Sequence, residues 1–282
     1  MFYFLESPFG RKSLLKHARQ GAASGIAASD LKKLKVPKSS IKNQMHVIEI
    51  LSTWDAAIKL CDSNQKKLMR LSMALKKKLT SKAMNSSKKF AIDKIGRCAK
   101  TFAGGTPSTS RKEYWSNGTI PWMSSGEVKQ REVSNVEGKI TDLGLKESAA
   151  KIVPVNSVLI ALAGQGTTRG KVAMNRIPLS TNQSLAAIIC DDSKLSSEYL
   201  FHFLDDRYQE LRKLSDAGGG RGGLNLKIIN DFNVEFPIDI KDQKTIADCL
   251  WTIESAARKF ENLKFAYSRQ KDGLTQKIFG GS

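Results

Sequence analysis

The stretch Gly164-Gln165-Gly166-Thr167-Thr168-Arg169-Gly170, with Lys171 behind it, follows an apolar run and superficially has the form of a phosphate-cradling loop. Its glycine spacing is wrong for a dinucleotide fingerprint and for a phosphate loop ending in Gly-Lys-Ser/Thr. The next segment, Lys171 to Pro178, reads as a strand rather than as the helix whose amino end would hold a phosphate. A donor-rich turn fits better. Gln165, Arg169 and Lys171 carry side chains suited to base edges, arginine for guanine and glutamine for adenine, while Thr167 and Thr168 add hydroxyls. A second turn sets Thr106, Ser108, Thr109, Ser110, Arg111 and Lys112 after the pair Gly104-Gly105, offering hydroxyls and charge to phosphate oxygens. Ser124 and Ser125 form a third donor-bearing turn, and Arg221, alone among five glycines, is placed to reach into a groove.

Catalytic constellations are harder to find. There is no Pro-Pro pair of the kind an amino-methyltransferase uses to position its target amine. Cys61, Cys98, Cys190 and Cys249 are scattered without Cys-x-x-Cys spacing, which suits reduced thiols in a cytoplasm. His17, His46 and His202 stand far apart, so neither a metal site nor a nucleophilic triad is indicated. No apolar run approaches the 18 or so residues of a membrane span. The opening residues lack the basic region and long apolar stretch of a signal peptide.

Charge points to the partner. Lys and Arg number 46 against 27 Asp and Glu, a formal net charge of +19. Such an excess suits nucleic acid or another polyanion. It is unevenly spread, since Lys66 to Lys89 holds nine basic residues and no acidic one.

The elements that must position these turns are announced by an internal repeat at an offset of about 199 residues. Phe2-Tyr3-Phe4-Leu5-Glu6 answers to Phe201-His202-Phe203-Leu204-Asp205. Leu34-Lys35-Val36-Pro37 answers to Val234-Glu235-Phe236-Pro237, and Ile41-Lys42-Asn43-Gln44 to Ile240-Lys241-Asp242-Gln243. Each copy runs into a long helical pattern with apolar residues at alternating steps of four and three, the seam of a coiled coil. The first seam includes Leu51, Trp54, Ile58, Leu68 and Leu75; the second includes Leu250, Ile253, Phe260, Tyr267 and Leu274. Both turn polar at matching places, Gln65 with Lys264 and Ser72 with Lys271. Helices of about 40 residues span about 60 Å at 1.5 Å per residue. They are expected to pair with each other antiparallel, or with copies in a second chain. Asp239-Ile240-Lys241 has the Asp-x-Lys spacing of nuclease sites, but its counterpart Ser40-Ile41-Lys42 lacks the carboxylate.

Between the helices, short apolar runs at Ile120–Met123, Ser157–Leu162 and Leu185–Ile189 read as strands separated by Gly- and Ser-rich turns, and Ser197–Leu214 reads as helix. The expected fold class is α+β, a mixed α/β domain plus two long helices forming an antiparallel coiled coil. The expected boundaries are 1–42 for the carboxy-terminal remnant of a first domain and 43–88 for the first long helix. A complete domain is expected over 89–241, then the second long helix over 242–282.

Gly104-Gly105-Thr106-Pro107-Ser108, Tyr114-Trp115, Gly118-Thr119-Ile120-Pro121-Trp122 and Ser124-Ser125-Gly126-Glu127-Val128 occur in this order. Ser157–Ala161, Thr181-Asn182-Gln183-Ser184, Asn225-Leu226 and Phe236-Pro237 come after them, the last leading through Gln243 into a long helix. Together they make the chain resemble the specificity subunit of type I restriction–modification systems. That resemblance implies a protein without catalysis of its own, whose target recognition domains alternate with two spacer helices and each read half of a bipartite site in double-stranded DNA. It implies methyltransferase subunits docked on the helices, with motor-nuclease (restriction) subunits joining them. S-adenosylmethionine and ATP then sit on those partners, and this chain binds no cofactor. A 60 Å spacer corresponds to roughly 15–18 base pairs at 3.4 Å each. The basic run Lys66–Lys89 is expected to face DNA or an acidic partner surface. Met1 falls where the family has the final helix of a first recognition domain, so either a fragment or a half-subunit that forms a homodimer is expected. The alternative is a regulatory protein that occupies the methyltransferase through its helices without productive reading of two half-sites.

Overall fold

The computed structural model describes residues 1–16, 26, 28–81, 89–164, 166–217 and 223–280. Its helices carry the repeat. The first copy forms α1 (Phe2–Glu6), α2 (Pro8–Lys16), α3 (Ala28–Leu31) and the long α4 (Ile41–Leu79). After the short α5 (Ile95–Cys98) and α6 (Asp142–Lys146), the second copy forms α7 (Ser197–Asp206), α8 (Tyr208–Ala217), α9 (Leu226–Asp231) and the long α10 (Ile240–Phe279). Both long helices are capped alike. Ser40 Oγ accepts from Asn43 N (3.2 Å), and Asp239 Oδ1 accepts from Lys241 N (2.8 Å). Asp239 therefore serves as a cap, as Ser40 does in the other copy.

The helices contribute to two compact units, one of Met1–Arg70 with Ile253–Ser282, the other of Leu71–Thr252. In the first, α4 and α10 pair antiparallel. Trp54 meets Tyr267 edge to face at 5.6 Å. Asp62 takes Lys264 at 2.5 Å, and Asp55 takes Lys271, so the partner numbers fall as the α4 numbers rise. The polar interruptions of the seam have a physical reason here, since Lys264 and Lys271 each meet an aspartate of the opposite helix. Hydrogen bonds from Lys264, then from Lys66, hold the Asp62 carboxyl down to about 2. Near the ends of the pair, Phe4 of α1 meets Phe279 edge to face.

The second unit is built on a sheet of order β2-β9-β6-β7-β4. Its strands are β2 (Ala99–Ala103), β4 (Glu132–Val133), β6 (Val158–Ala161), β7 (Val172–Asn175) and β9 (Leu185–Cys190). Val158, Ile160, Met174, Ala186 and Ile188 point into one buried cluster with α7, α9 and the start of α10. Leu159, Ala161, Ala173, Leu185 and Ala187 point into another with Met123, Val128, Val133 and Val153. Burial on both faces is why β6 and β9 read as continuous apolar runs. A second sheet, of order β5-β3-β8, comprises β5 (Gly138–Ile140), β3 (Ile120–Met123) and β8 (Ser180–Thr181). Also in this unit, β1 (Phe90–Lys94) and β10 (Asn233–Pro237) pair antiparallel with Phe90 opposite Pro237. Leu34–Pro37, the first copy's equivalent of β10, is coil. Within the second unit Gln243 is wholly buried and fully bonded, accepting from Ser196 N and donating to the Lys194 and Pro237 carbonyls.

Two expectations need correction. The first helix closes at Leu79, not 88, where Thr80 turns its N–H and hydroxyl back onto the Lys76 carbonyl. Residues 82–88 lie outside the described residues. The seam is also not helix pairing throughout. Leu250 belongs to the core of the second unit, and Leu75 packs against that core. The other seam residues, Leu51, Trp54, Ile58, Leu68, Ile253, Phe260, Tyr267 and Leu274, are all buried or half-buried.

Candidate nucleic-acid interface

Strand register collects the donor-bearing turns. Ala103 at the end of β2 lies opposite Ala186 near the start of β9; Ala161 at the end of β6 lies opposite Leu185, and Ile160 opposite Val172. The segments after β2, between β6 and β7, and before β9 therefore all leave one end of the sheet. Thr181–Ser184 ties them together. Gly105 N donates to Thr181 O (2.8 Å), Thr106 Oγ1 to Gln183 Oε1 (2.5 Å), Asn182 N to Met123 O (3.1 Å) and Leu162 N to Ser184 O (2.8 Å). Gly104 fits because a Cβ there would lie 2.2 Å from the Thr181 carbonyl.

The first turn is held from behind by indoles. Trp115 Nε1 donates to Ser108 O (3.1 Å) and Trp122 Nε1 to Gly105 O (3.0 Å), with the rings edge to face at 5.1 Å. Thr109 and Lys112 are exposed, and Ser108 and Ser110 hydrogen-bond each other at 2.8 Å. Arg111 is engaged within the protein. It pairs with Glu113 (2.7 Å) and Glu147 (2.9 Å), reaches the Tyr114 hydroxyl and lies over that ring. The Tyr114 hydroxyl, and with it Arg111, holds the Glu147 carboxyl below its ordinary range. Ser124 closes a capping box with Glu127, and Ser125 opens the 3-10 turn next to it.

In the β6–β7 connection Thr167 is exposed, Thr168 is buried and Lys171 is half-buried. Arg169 pairs with Asp216 of α8 at 2.6 Å. Gly164 (φ 136°) and Gly170 (φ 83°) have backbone angles that favour glycine. Gln165 and Arg221 lie outside the described residues. Leu224 N donates to Leu162 O (3.0 Å), so the chain following Arg221 returns to the same connection.

The basic run also needs revision. Lys66 pairs with Asp62 (2.6 Å), and Lys76 is buried against Asp205 (2.5 Å). Lys67, Arg70, Lys77 and Lys78 are exposed. Among the described residues no three His, Cys, Asp or Glu side chains cluster as metal ligands would, and no helix is long and apolar enough to cross a membrane. Burial pushes the Cys190 thiol up to about 12 and raises that of Cys98, which suits packing rather than reactivity.

Sequence reasoning missed Tyr208 and Arg212 of α8, which bond the backbone of the β6–β7 connection. Their spacing of four residues, continued by Asp216, was the available signal.

The family model of the type I restriction modification DNA specificity domain matches residues 84–264. The chain belongs to this specificity family. It is 30% identical to a type I restriction enzyme specificity subunit of Escherichia coli over 160 residues, 55% of this chain and 39% of that relative. It is 32% identical to one of Methanocaldococcus jannaschii over 165 residues, 56% of this chain and 36% of that relative. These matches thus span about two-fifths of the curated relatives' length. The solved S subunit from M. genitalium shares the fold, with a TM-score of 0.71 and 16% identity, covering 99% of this chain and 71% of that one.

Proposed function

We propose that this specificity-family chain reads one half of a bipartite DNA site with the loops at the end of its five-stranded sheet, and carries out no catalysis itself. One observation carries the reading: antiparallel register and the Thr181–Ser184 bonds gather three donor-bearing segments at one sheet end, on a chain of net charge +19. Thr106, Ser108, Thr109, Ser110, Lys112, Ser124, Ser125, Thr167 and Lys171 are the proposed contacts nearest to use as they stand. Arg111 would exchange an internal carboxylate for phosphate or a base edge, and Arg169 would make its contact while held by Asp216. Methyltransferase subunits, and motor-nuclease subunits with them, are the proposed partners on the long helices, supplying S-adenosylmethionine and ATP in the cytoplasm. In the first copy of the repeat Phe2 is 63% exposed, whereas its counterpart Phe201 is fully buried. A second copy of the chain would supply the other reading head.

Electrostatic binding of this kind releases counterions. With about six phosphate contacts, affinity for a duplex is expected to fall about a thousandfold between 50 and 200 mM salt. Fluorescence anisotropy with a labelled random-sequence duplex measures the slope. Salt-independent binding, or none at 50 mM, would count against the reading.

A further inference from the structure

The β6–β7 connection is braced by a single helix face. Tyr208, Arg212 and Asp216 stand four residues apart on α8 and so share one side of it. The Tyr208 hydroxyl donates to Thr167 O at 3.0 Å. Arg212 Nη1 donates to Gly166 O at 2.5 Å and to the Tyr208 hydroxyl at 3.0 Å, with its guanidinium 5.8 Å from the Tyr208 ring. Asp216 accepts from Arg169 at 2.6 Å. Gly170 (φ 83°) lies so near that a Cβ there would contact Arg212, Leu211 and Tyr208 at 3.5–3.7 Å. Two of these bonds end on backbone carbonyls of the connection. They fix its path whatever side chains it presents.

We infer that the Tyr208–Arg212–Asp216 face of α8 is a positioning element that determines which DNA sequence this domain selects. The inference rests on the DNA-reading role proposed above and extends it to residues outside the loops. Hydrogen bonds to base edges demand close placement of donor and acceptor, whereas attraction to phosphate tolerates displacement. Loosening the brace therefore costs discrimination and leaves sequence-independent binding alone. Tyr208→Phe tests this cleanly, because it removes one hydroxyl and no charge. The same hydroxyl both donates to Thr167 O and accepts from Arg212, so its loss slackens two links of the brace at once.

The test has two arms on the full chain. Amide hydrogen exchange without DNA reads the brace. In Tyr208→Phe the Gly170 and Lys171 amides, which bond Ala161 O and Thr168 O, are expected to exchange roughly tenfold faster, while amides of β6 and β9 keep their protection. Selection from a pool of random-sequence duplexes reads the consequence. The parent enriches a motif, and Tyr208→Phe enriches a broader one. The ratio of motif to unselected-pool affinity falls at least fivefold, with pool affinity at the same salt unchanged. Asp216→Asn is expected to broaden the same positions. Unchanged loop exchange overturns the brace, and an identical motif with an identical ratio overturns its role in selection. If the parent enriches no motif, the DNA reading falls and the selection role with it, while the exchange arm still decides whether α8 braces the loop.

Discussion

Leu250→Asp is expected to leave the second unit unfolded, whereas Leu51→Asp is expected to spare it and damage the helix pair. Both leucines are fully buried seam residues, 199 positions apart. Their surroundings differ. Leu250 lies in the cluster that joins α10 to the sheet through residues such as Ile188, Phe201 and Phe236. Leu51 lies on α4 in the unit where Trp54 meets Tyr267. Truncating a buried leucine costs about 2–5 kcal/mol, and an unpaired buried carboxylate adds several more. That sum rivals the whole stability of an ordinary domain, about 5–15 kcal/mol. Hydrogen exchange separates the outcomes. Amides of β6 and β9 should lose protection in Leu250→Asp and keep it in Leu51→Asp. Protected β6 amides in Leu250→Asp would contradict the assignment of the second helix's start to the domain core.

Asp205→Asn is expected to destabilise the second unit by about 3–5 kcal/mol, the usual cost of removing one partner from a buried ion pair. The Asp205 side chain is only 22% exposed, and each of its oxygens meets a cation, Lys76 Nζ at 2.5 Å and Arg131 Nη1 at 2.9 Å. Lys76 is itself buried, so its ammonium would be left without this carboxylate. Burial alone would raise the Asp205 carboxyl, but Arg131 and Lys76 outweigh it and hold the pKa below its ordinary value. A carboxyl depressed on folding adds stability that is fully present above its unfolded value of about 3.9 and is lost as pH falls through the folded value. Urea melts at pH 7 and at low pH measure both effects. The parent's advantage should shrink in acid, and a difference below about 1 kcal/mol at pH 7 would remove Asp205 as an anchor of α4.

How much of this is legible in the sequence depends on the range of each interaction. The repeat is legible because local patterning marks helix starts: α4 begins at Ile41 and α10 at Ile240, an offset of 199. Strands β6 and β9 are legible because burial on both faces leaves unbroken apolar runs, and β3 is legible as a short apolar run although only Met123 in it is fully buried. Partners remote in sequence are not. Nothing local in Lys76 announces Asp205, which is 129 residues away, and a lysine in a basic run reads as solvated until that carboxylate is found. Likewise, Arg169 reads as a free donor because Asp216 lies 47 residues on; Arg111 has one such remote partner, Glu147 at 36 residues, but its other partner Glu113 is two residues away and is there to be read. The turns themselves can be named from glycines and hydroxyls. Their meeting at one sheet end requires the order β2-β9-β6-β7, which no local pattern encodes.

The most direct test of the proposed role is to co-express the chain with methyltransferase subunits and map methylated positions across the host genome. A reading subunit predicts methylation confined to one sequence motif that contains this domain's half-site. If two copies supply the two heads, the motif is bipartite and palindromic. Assembly with the methyltransferase but no methylated motif would contradict DNA reading as the chain's role and favour a regulatory one.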